Sequence, residues 1–171
     1  MTLKAKLWCT GIAALLVAVI AGLLLKFVVL GHTVPAADGR TAIMLNASER
    51  QVVLGEMRQF LAGIQTITGA LAHDPVSSAD LQTVATTARS LGTAASRGVP
   101  GSLMGKLPLG FKQLGLSVHR DFDQMAQDAE DLGDPKHTLT QLSATLNKCV
   151  ACHAAYQIPG PIPGPAAGGE R

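Results

Sequence analysis

The chain reads as all-α: an antiparallel four-helix bundle, preceded by a transmembrane helix and followed by a disordered Pro/Gly-rich tail. Three observations lead there. Leu7 to Leu25 holds no charge across nineteen positions, four segments between Thr41 and Gln157 repeat apolar residues at steps of three and four, and residues 159–165 read Pro-Gly-Pro-Ile-Pro-Gly-Pro. A chain of 171 residues has room for one domain plus such appendages, at ~100–200 residues per domain. No β-like alternation or internal repeat interrupts the pattern.

Residues 1–31 form the membrane anchor. A span needs ~20 predominantly apolar residues at a rise of 1.5 Å each, and after Lys26 the run resumes as Phe27-Val28-Val29-Leu30. Lys4 and Lys6 precede it, so the positive-inside rule keeps Met1 cytoplasmic and carries the chain after about Gly31 across the membrane. The expected location is a bacterial inner membrane, single-pass, with the domain in the periplasm. The rival is a cleaved signal peptide releasing a soluble periplasmic domain. Val34-Pro35-Ala36 offers a small residue before a cut, but the run exceeds the usual h-region of ~7–15 residues. Cys9 lacks the preceding small residues of a lipoprotein signal and reads as apolar filler. Lys4, Lys6 and Lys26 account for three of 14 basic residues, leaving 11 against 12 acidic side chains beyond the anchor. That balance excludes a basic face for nucleic acid.

The domain covers residues 41–157. Its first helical segment carries Arg50, Val53, Met57, Phe60, Ile64, Ile67 and Leu71 on one stripe and ends at His73-Asp74-Pro75. Ser77 with Asp80 is a capping start for the second, whose stripe, Leu81, Val84, Ala88, Leu91 and Ala95, is mostly small and should pack closely until Gly98-Val99-Pro100-Gly101 stops it. Pro108 opens a third, striped by Phe111, Leu114, Val118, Phe122, Met125, Ala129 and Leu132 and closed by Gly133. Asp134-Pro135, a capping carboxylate before a first-turn proline, starts the fourth. Its expected buried stripe is Leu139, Leu142, Leu146, Cys149, His153 and Tyr156. Residues 158–171 read as a flexible tail.

The fourth segment ends in Cys149-Val150-Ala151-Cys152-His153, the attachment signature of c-type haem. The chemistry needs that order: two thiols add to the porphyrin vinyl groups, and the adjacent imidazole reaches the iron as proximal ligand. Zinc lacks a second CxxC or paired histidines, His119 and His137 being isolated and expected to face solvent. A thioredoxin-like CxxC wants a βαβ context, and a disulfide within one helical turn is geometrically awkward. One covalently attached haem c is the expected cofactor. No serine or free-cysteine nucleophile stands beside a base, and Asp121, Asp123, Asp128, Glu130 and Asp131 look like a solvated face, so the chain is not expected to be an enzyme.

A single CxxCH near the end of a four-helix pattern, an aromatic three residues past the histidine (Tyr156), and an arginine in the first helix (Arg50) resemble cytochrome c-prime and its low-spin cytochrome c-556 relatives over about residues 43–157. The resemblance implies a haem in the bundle with its distal face against the first helix, electron exchange with redox partner proteins, and Tyr156 packed at the haem edge. A homodimer, common in that family, stays open. It matches Arg50 to a basic residue facing a haem propionate. Counting back from His73-Asp74 puts Met57 in the sixth position; counting forward from Arg50 puts Leu54 there. Methionine gives a closed, low-spin electron carrier, whereas leucine leaves a five-coordinate iron open to gases such as nitric oxide. The preferred ligand pair is His153 and Met57. Few aromatics and the alanine-rich second helix predict a bundle that gains order when haem fills it.

Overall fold

The structure, a computed structural model, describes residues 3–160 and is mostly helical. Helix α1 (Leu3–Leu24) runs on through a π-helical turn, Leu25–Leu30, into two short strands, β1 (Thr33–Pro35) and β2 (Thr41–Ile43). Then follow α2 (Ala47–Leu71), α3 (Ser78–Leu91), a 3₁₀ turn (Ala95–Gly98), α4 (Gly101–Met104), α5 (Leu109–Asp131), α6 (Pro135–Ala155) and β3 (Tyr156–Gln157). Thr10–Leu30 is long and apolar enough to cross a membrane, with mean hydropathy 2.8 over 21 residues and none of it buried against the rest of the chain. A signal sequence has the same character.

The four long helices after that segment fall on the four expected ones, and their ends have local causes. Asn46 and Glu49 form a reciprocal capping box at α2, as Ser77 and Asp80 do at α3. Each cap of this kind stabilises by about 1 kcal/mol. Asp134 accepts from the backbone N–H groups of Lys136 (2.9 Å) and His137 (3.2 Å) with Pro135 in the first turn of α6. Gly133, at φ +60°, takes the left-handed conformation that closes α5. The second stripe was expected to reach Ala95, but α3 stops at Leu91. Gly92 lies so close to Asp123 that no side chain fits there, and the Asp123 carboxylate accepts from Thr93 N (3.0 Å) and Thr93 Oγ1 (2.7 Å), drawing the chain off the helix.

The strands correct the expectation of no β-structure. β1 pairs antiparallel with β2 around a turn at Asp38-Gly39, and β2 pairs parallel with β3, in the order β1-β2-β3. Strands of two or three residues are too short to show a period of two. Gly39, at φ +86°, permits the turn, and Asp38 Oδ1 accepts from Arg40 N at 3.1 Å.

Helix α3 packs on both α2 and α5, and α5 on α6, whereas α2 and α6 barely touch. The main core lies among α2, α3 and α5: Phe60 stacks on Phe122 (5.6 Å between centroids, 11°), and Val84, Ala85, Ala88, Ile67 and Met125 are fully buried. Such a ring pair contributes about 0.5–1.5 kcal/mol beyond its area burial. The small face of α3 packs closely as expected, with Gly63 of α2 set directly against Leu91. A second cluster joins Ile43, Val53, Leu103 and Leu107, with Phe111, Tyr156 and Ile158 against it.

Four further expectations are revised. The fourth stripe is not uniformly buried: Leu142 is, together with Thr138 and Thr145, but Leu139, Leu146 and His153 are exposed. The acidic face of the third segment is not simply solvated. Asp121 pairs with Lys148 of α6 (2.6 Å), Asp128 with His137 and Gln141 of α6, and Glu130 with Arg89 of α3. His119 does not face solvent; it is 4% exposed. His137 is only partly exposed, with Nε2 at 3.1 Å from Asp128 Oδ2. Of the expected tail, Pro159 accepts from Arg50 Nε at 3.2 Å and Ile158 packs on the second cluster; residues 161–171 lie outside those described.

Candidate functional site

Cys149 and Cys152 lie one helical turn apart near the end of α6, so their side chains share a face, with His153 one step further round. Both thiols are free and half-buried, while Val150 between them turns outward at 68% exposure. Burial pushes both thiols above their ordinary pKa, helped at Cys149 by the Asp121 charge and at Cys152 by its neighbour Cys149. They are neutral at pH 7. Among the described residues no three His, Cys, Asp or Glu side chains converge to hold a metal ion.

Helix α6 ends because its chain is captured by the sheet. Tyr156 and Gln157 pair with Thr41 and Ala42, and the Tyr156 ring sits edge-on to Phe111 at 5.6 Å and 84°. Arg40 adds a second tie: Nη1 donates to the His153 carbonyl (3.3 Å) and Nη2 to Gln157 Oε1 (2.9 Å), with Nε held by Asp38 at 2.8 Å. A planar guanidinium reaches all three at once.

Where α2 and α6 part, two adjoining cavities open. One, of about 350 Å³, runs between α2 (Phe60, Ile64), α5 (Leu114, Val118) and α6 (Leu146, Cys149). The other, of about 310 Å³, continues past Leu54, Tyr156 and Ile158 to Arg40. Met57, Phe111, Cys152 and His153 line both. Met57 therefore stands centrally on the α2 wall and Leu54 one turn towards the sheet. Arg50 lines neither cavity and is bonded to Pro159 instead; Arg40 is the arginine at the cleft.

Glu56, beside Met57, lines the first cavity and accepts from His119 behind it. His119 Nε2 is 3.0 Å from Glu56 Oε1, its Nδ1 is 2.6 Å from the Leu91 carbonyl, and its ring lies 5.0 Å from that of Phe60. Burial alone would lower the imidazole pKa, but these two acceptors outweigh it and hold the group above its ordinary value. With an acceptor at each nitrogen, the doubly protonated ring satisfies both. Arg40, Phe111 and the Glu56–His119 pair were not legible as site residues. Asp38-Gly39-Arg40 is a turn signal, and it was the available pointer to Arg40.

No protein-family model, curated protein or solved structure matches the chain.

Proposed function

We propose that α2, α3, α5 and α6 form an antiparallel four-helix bundle that holds one covalently attached haem c, tethered by α1 on the periplasmic side of a bacterial inner membrane, and that the protein carries single electrons between redox partner proteins. The observation that carries this reading is the convergence of Cys149, Cys152, His153 and Met57 on one apolar cleft. The resemblance to cytochrome c-prime and cytochrome c-556 supports the same cofactor.

The residues present fit the group. Two neutral thiols one turn apart suit two thioether links, the imidazole beside them suits the iron, and the gap between α2 and α6 is walled by apolar side chains. Bound haem supplies one-electron redox chemistry at its iron. The chain's own residues do the rest. Cys149 and Cys152 fix the group to α6, and the Arg40 tie to the His153 carbonyl holds the end of that helix in place. Phe60, Ile64, Leu114 and Val118 exclude water, lowering the local dielectric. Arg40 brings a cation to the other end of the cleft, a partner for anionic groups at its mouth. Met57 is favoured over Leu54 as sixth ligand because it lines both cavities.

A five-coordinate, gas-binding protein is the second reading, favoured to the extent that Leu54 also faces the second cavity. Haem stain surviving denaturing electrophoresis checks the thioether links, and its loss sinks both readings. The ferrous spectrum with and without carbon monoxide separates them. A low-spin, unreactive form that becomes reactive in Met57→Ala is the expected result, whereas prompt binding by the unmodified protein would overturn Met57 ligation.

A further inference from the structure

The chain leaves α1 through a built cavity that neither the haem reading nor the anchor itself uses. It measures about 480 Å³ and lies between the last turn of the apolar segment and the Gly101–Lys106 stretch, lined by Lys26, Phe27, His32, Ser102, Gly105 and Lys106. The walls are fixed. His32 N donates to the Lys106 carbonyl at 2.7 Å, Gly31 is so close to residues 106–108 that no side chain fits there, and Lys112 Nζ donates to the Val28 carbonyl at 2.8 Å. Glycine and serine leave the space between them open.

Its position follows from length. The apolar stretch of 21 residues ends at Leu30, and 21 residues at 1.5 Å span roughly the ~30 Å hydrocarbon core, which puts residues 30–32 at the headgroup level and the Lys26 backbone about 6 Å short of it. Lys26 supports this: its side chain reaches forward to the Gly31 carbonyl (3.3 Å), out of the apolar layer. The charge is unbalanced. Lys106 pairs with Glu49 at 2.7 Å, whereas Lys26 and Lys112 meet backbone carbonyls and, among the described residues, no carboxylate. Beside the cavity, Met104 and Leu116 are each 40% exposed on the side of the domain where Lys112 meets the emerging segment. An anion with an apolar tail matches all of this: the Lys26 ammonium for a phosphate, Ser102 and His32 for headgroup hydroxyls, and Phe27 for the start of an acyl chain.

We propose that this cavity binds the headgroup of an anionic phospholipid and so holds the domain against the bilayer in one orientation. The proposal rests on the anchor being retained, and not on the haem. Its test uses the full chain in nanodiscs of phosphatidylcholine with and without phosphatidylglycerol, released into detergent for native mass spectrometry. The expected result is one retained phosphatidylglycerol and no retained phosphatidylcholine. The Lys26→Gln chain, which leaves the Lys106–Glu49 pair intact, should bind about fivefold more weakly, at ~1 kcal/mol for one basic residue. Lys26→Arg and Lys136→Gln, a distant exposed lysine, should retain the lipid. Gly105→Leu, which keeps every charge but fills the space, should lose it, which separates a pocket from a diffuse field. Excess glycerol phosphate should not displace the lipid.

Equal retention of the two lipids by the unmodified chain overturns the site, with no variant needed. So does retention by Gly105→Leu or displacement by glycerol phosphate. Alkaline carbonate extraction keeps the two ideas apart. A chain washed out of the bilayer overturns anchor and site together, whereas one that stays without discriminating headgroups overturns the site alone.

Discussion

The two sides of the domain are packed on different terms. Around α3, the helices meet through alanine and glycine, Phe60 and Phe122 stack, and Ile67, Val84, Ala85 and Met125 leave no solvent-exposed surface. Around α6, leucines face outward, two thiols sit half-buried, and the gap to α2 stays open. The first side satisfies the close packing of protein interiors by itself. The second is held by its edges, through carboxylates reaching over from α5 and the sheet at its end. A fold can thus specify a cleft by completing one half of its core and bracing the other from outside.

The comparison can be broken most directly by truncation. Phe122→Ala in the closed half should cost about 3–5 kcal/mol in urea unfolding, while Leu146→Ala across the cleft should cost under about 1 kcal/mol in the haem-free chain. Similar losses would mean the halves do not differ. Next in size, Cys149→Ser/Cys152→Ser should abolish the haem stain and flatten near-UV circular dichroism from the Phe111–Tyr156 region, while far-UV helix content stays. Equal near-UV signals with and without haem would count against the open half gaining order from it.

Smaller again is Glu56→Gln, which leaves His119 an amide oxygen to donate to but removes the carboxylate charge at the boundary between the halves. A loss of about 1–2 kcal/mol is expected at pH 6. The His119 pKa is raised in the folded protein above its ordinary 6.5, so its contribution is complete below pH 6.5 and fades as pH climbs through the folded value. The difference between variant and parent should therefore shrink above pH 6.5; a constant gap would assign the effect to packing. The least effect belongs to Asp80. Hydrogen bonds from the Ser77 hydroxyl and backbone, then His73, bring its carboxyl from 3.8 to about 2. Its stabilising effect is present above 3.8 and disappears as pH falls towards 2, so Asp80→Asn should lose the acid-side slope of α3 helicity in that window.

What the sequence made legible was periodic or local. Stripes such as Met57-Phe60-Ile64 and Phe111-Leu114-Val118 mark helices because each repeats over several turns, and Ser77, Asp80, Asp134 and Pro135 mark ends within a few residues. The triad Cys149, Cys152 and His153 needs no tertiary context. Missing were features made by distant partners. Gly92 stops α3 because Asp123, thirty positions past Thr93, fills the space beside the glycine and bonds Thr93. His119 is buried because Glu56 and Leu91 both accept from it, and a lone histidine carries no sign of either. Arg40 and Arg50 look alike in a sequence, and the parallel pairing of β2 with β3 decides which one stands at the cleft.

That pairing also sets a short path. Arg40 and His153 are 113 positions apart along the chain, yet adjacent strands lie ~4.8 Å from each other, so Thr33–Pro35, just past the apolar helix, and Tyr156–Gln157, just past the CxxCH, are separated by roughly 10 Å. The three hydrogen-bonded strands link the end of the apolar helix to His153 by a route that bypasses α2 and α3. The hairpin works as a short, stiff bracket, and lengthening the loop around Gly39 would leave that bracket intact, while a proline at Ala42 would cut it.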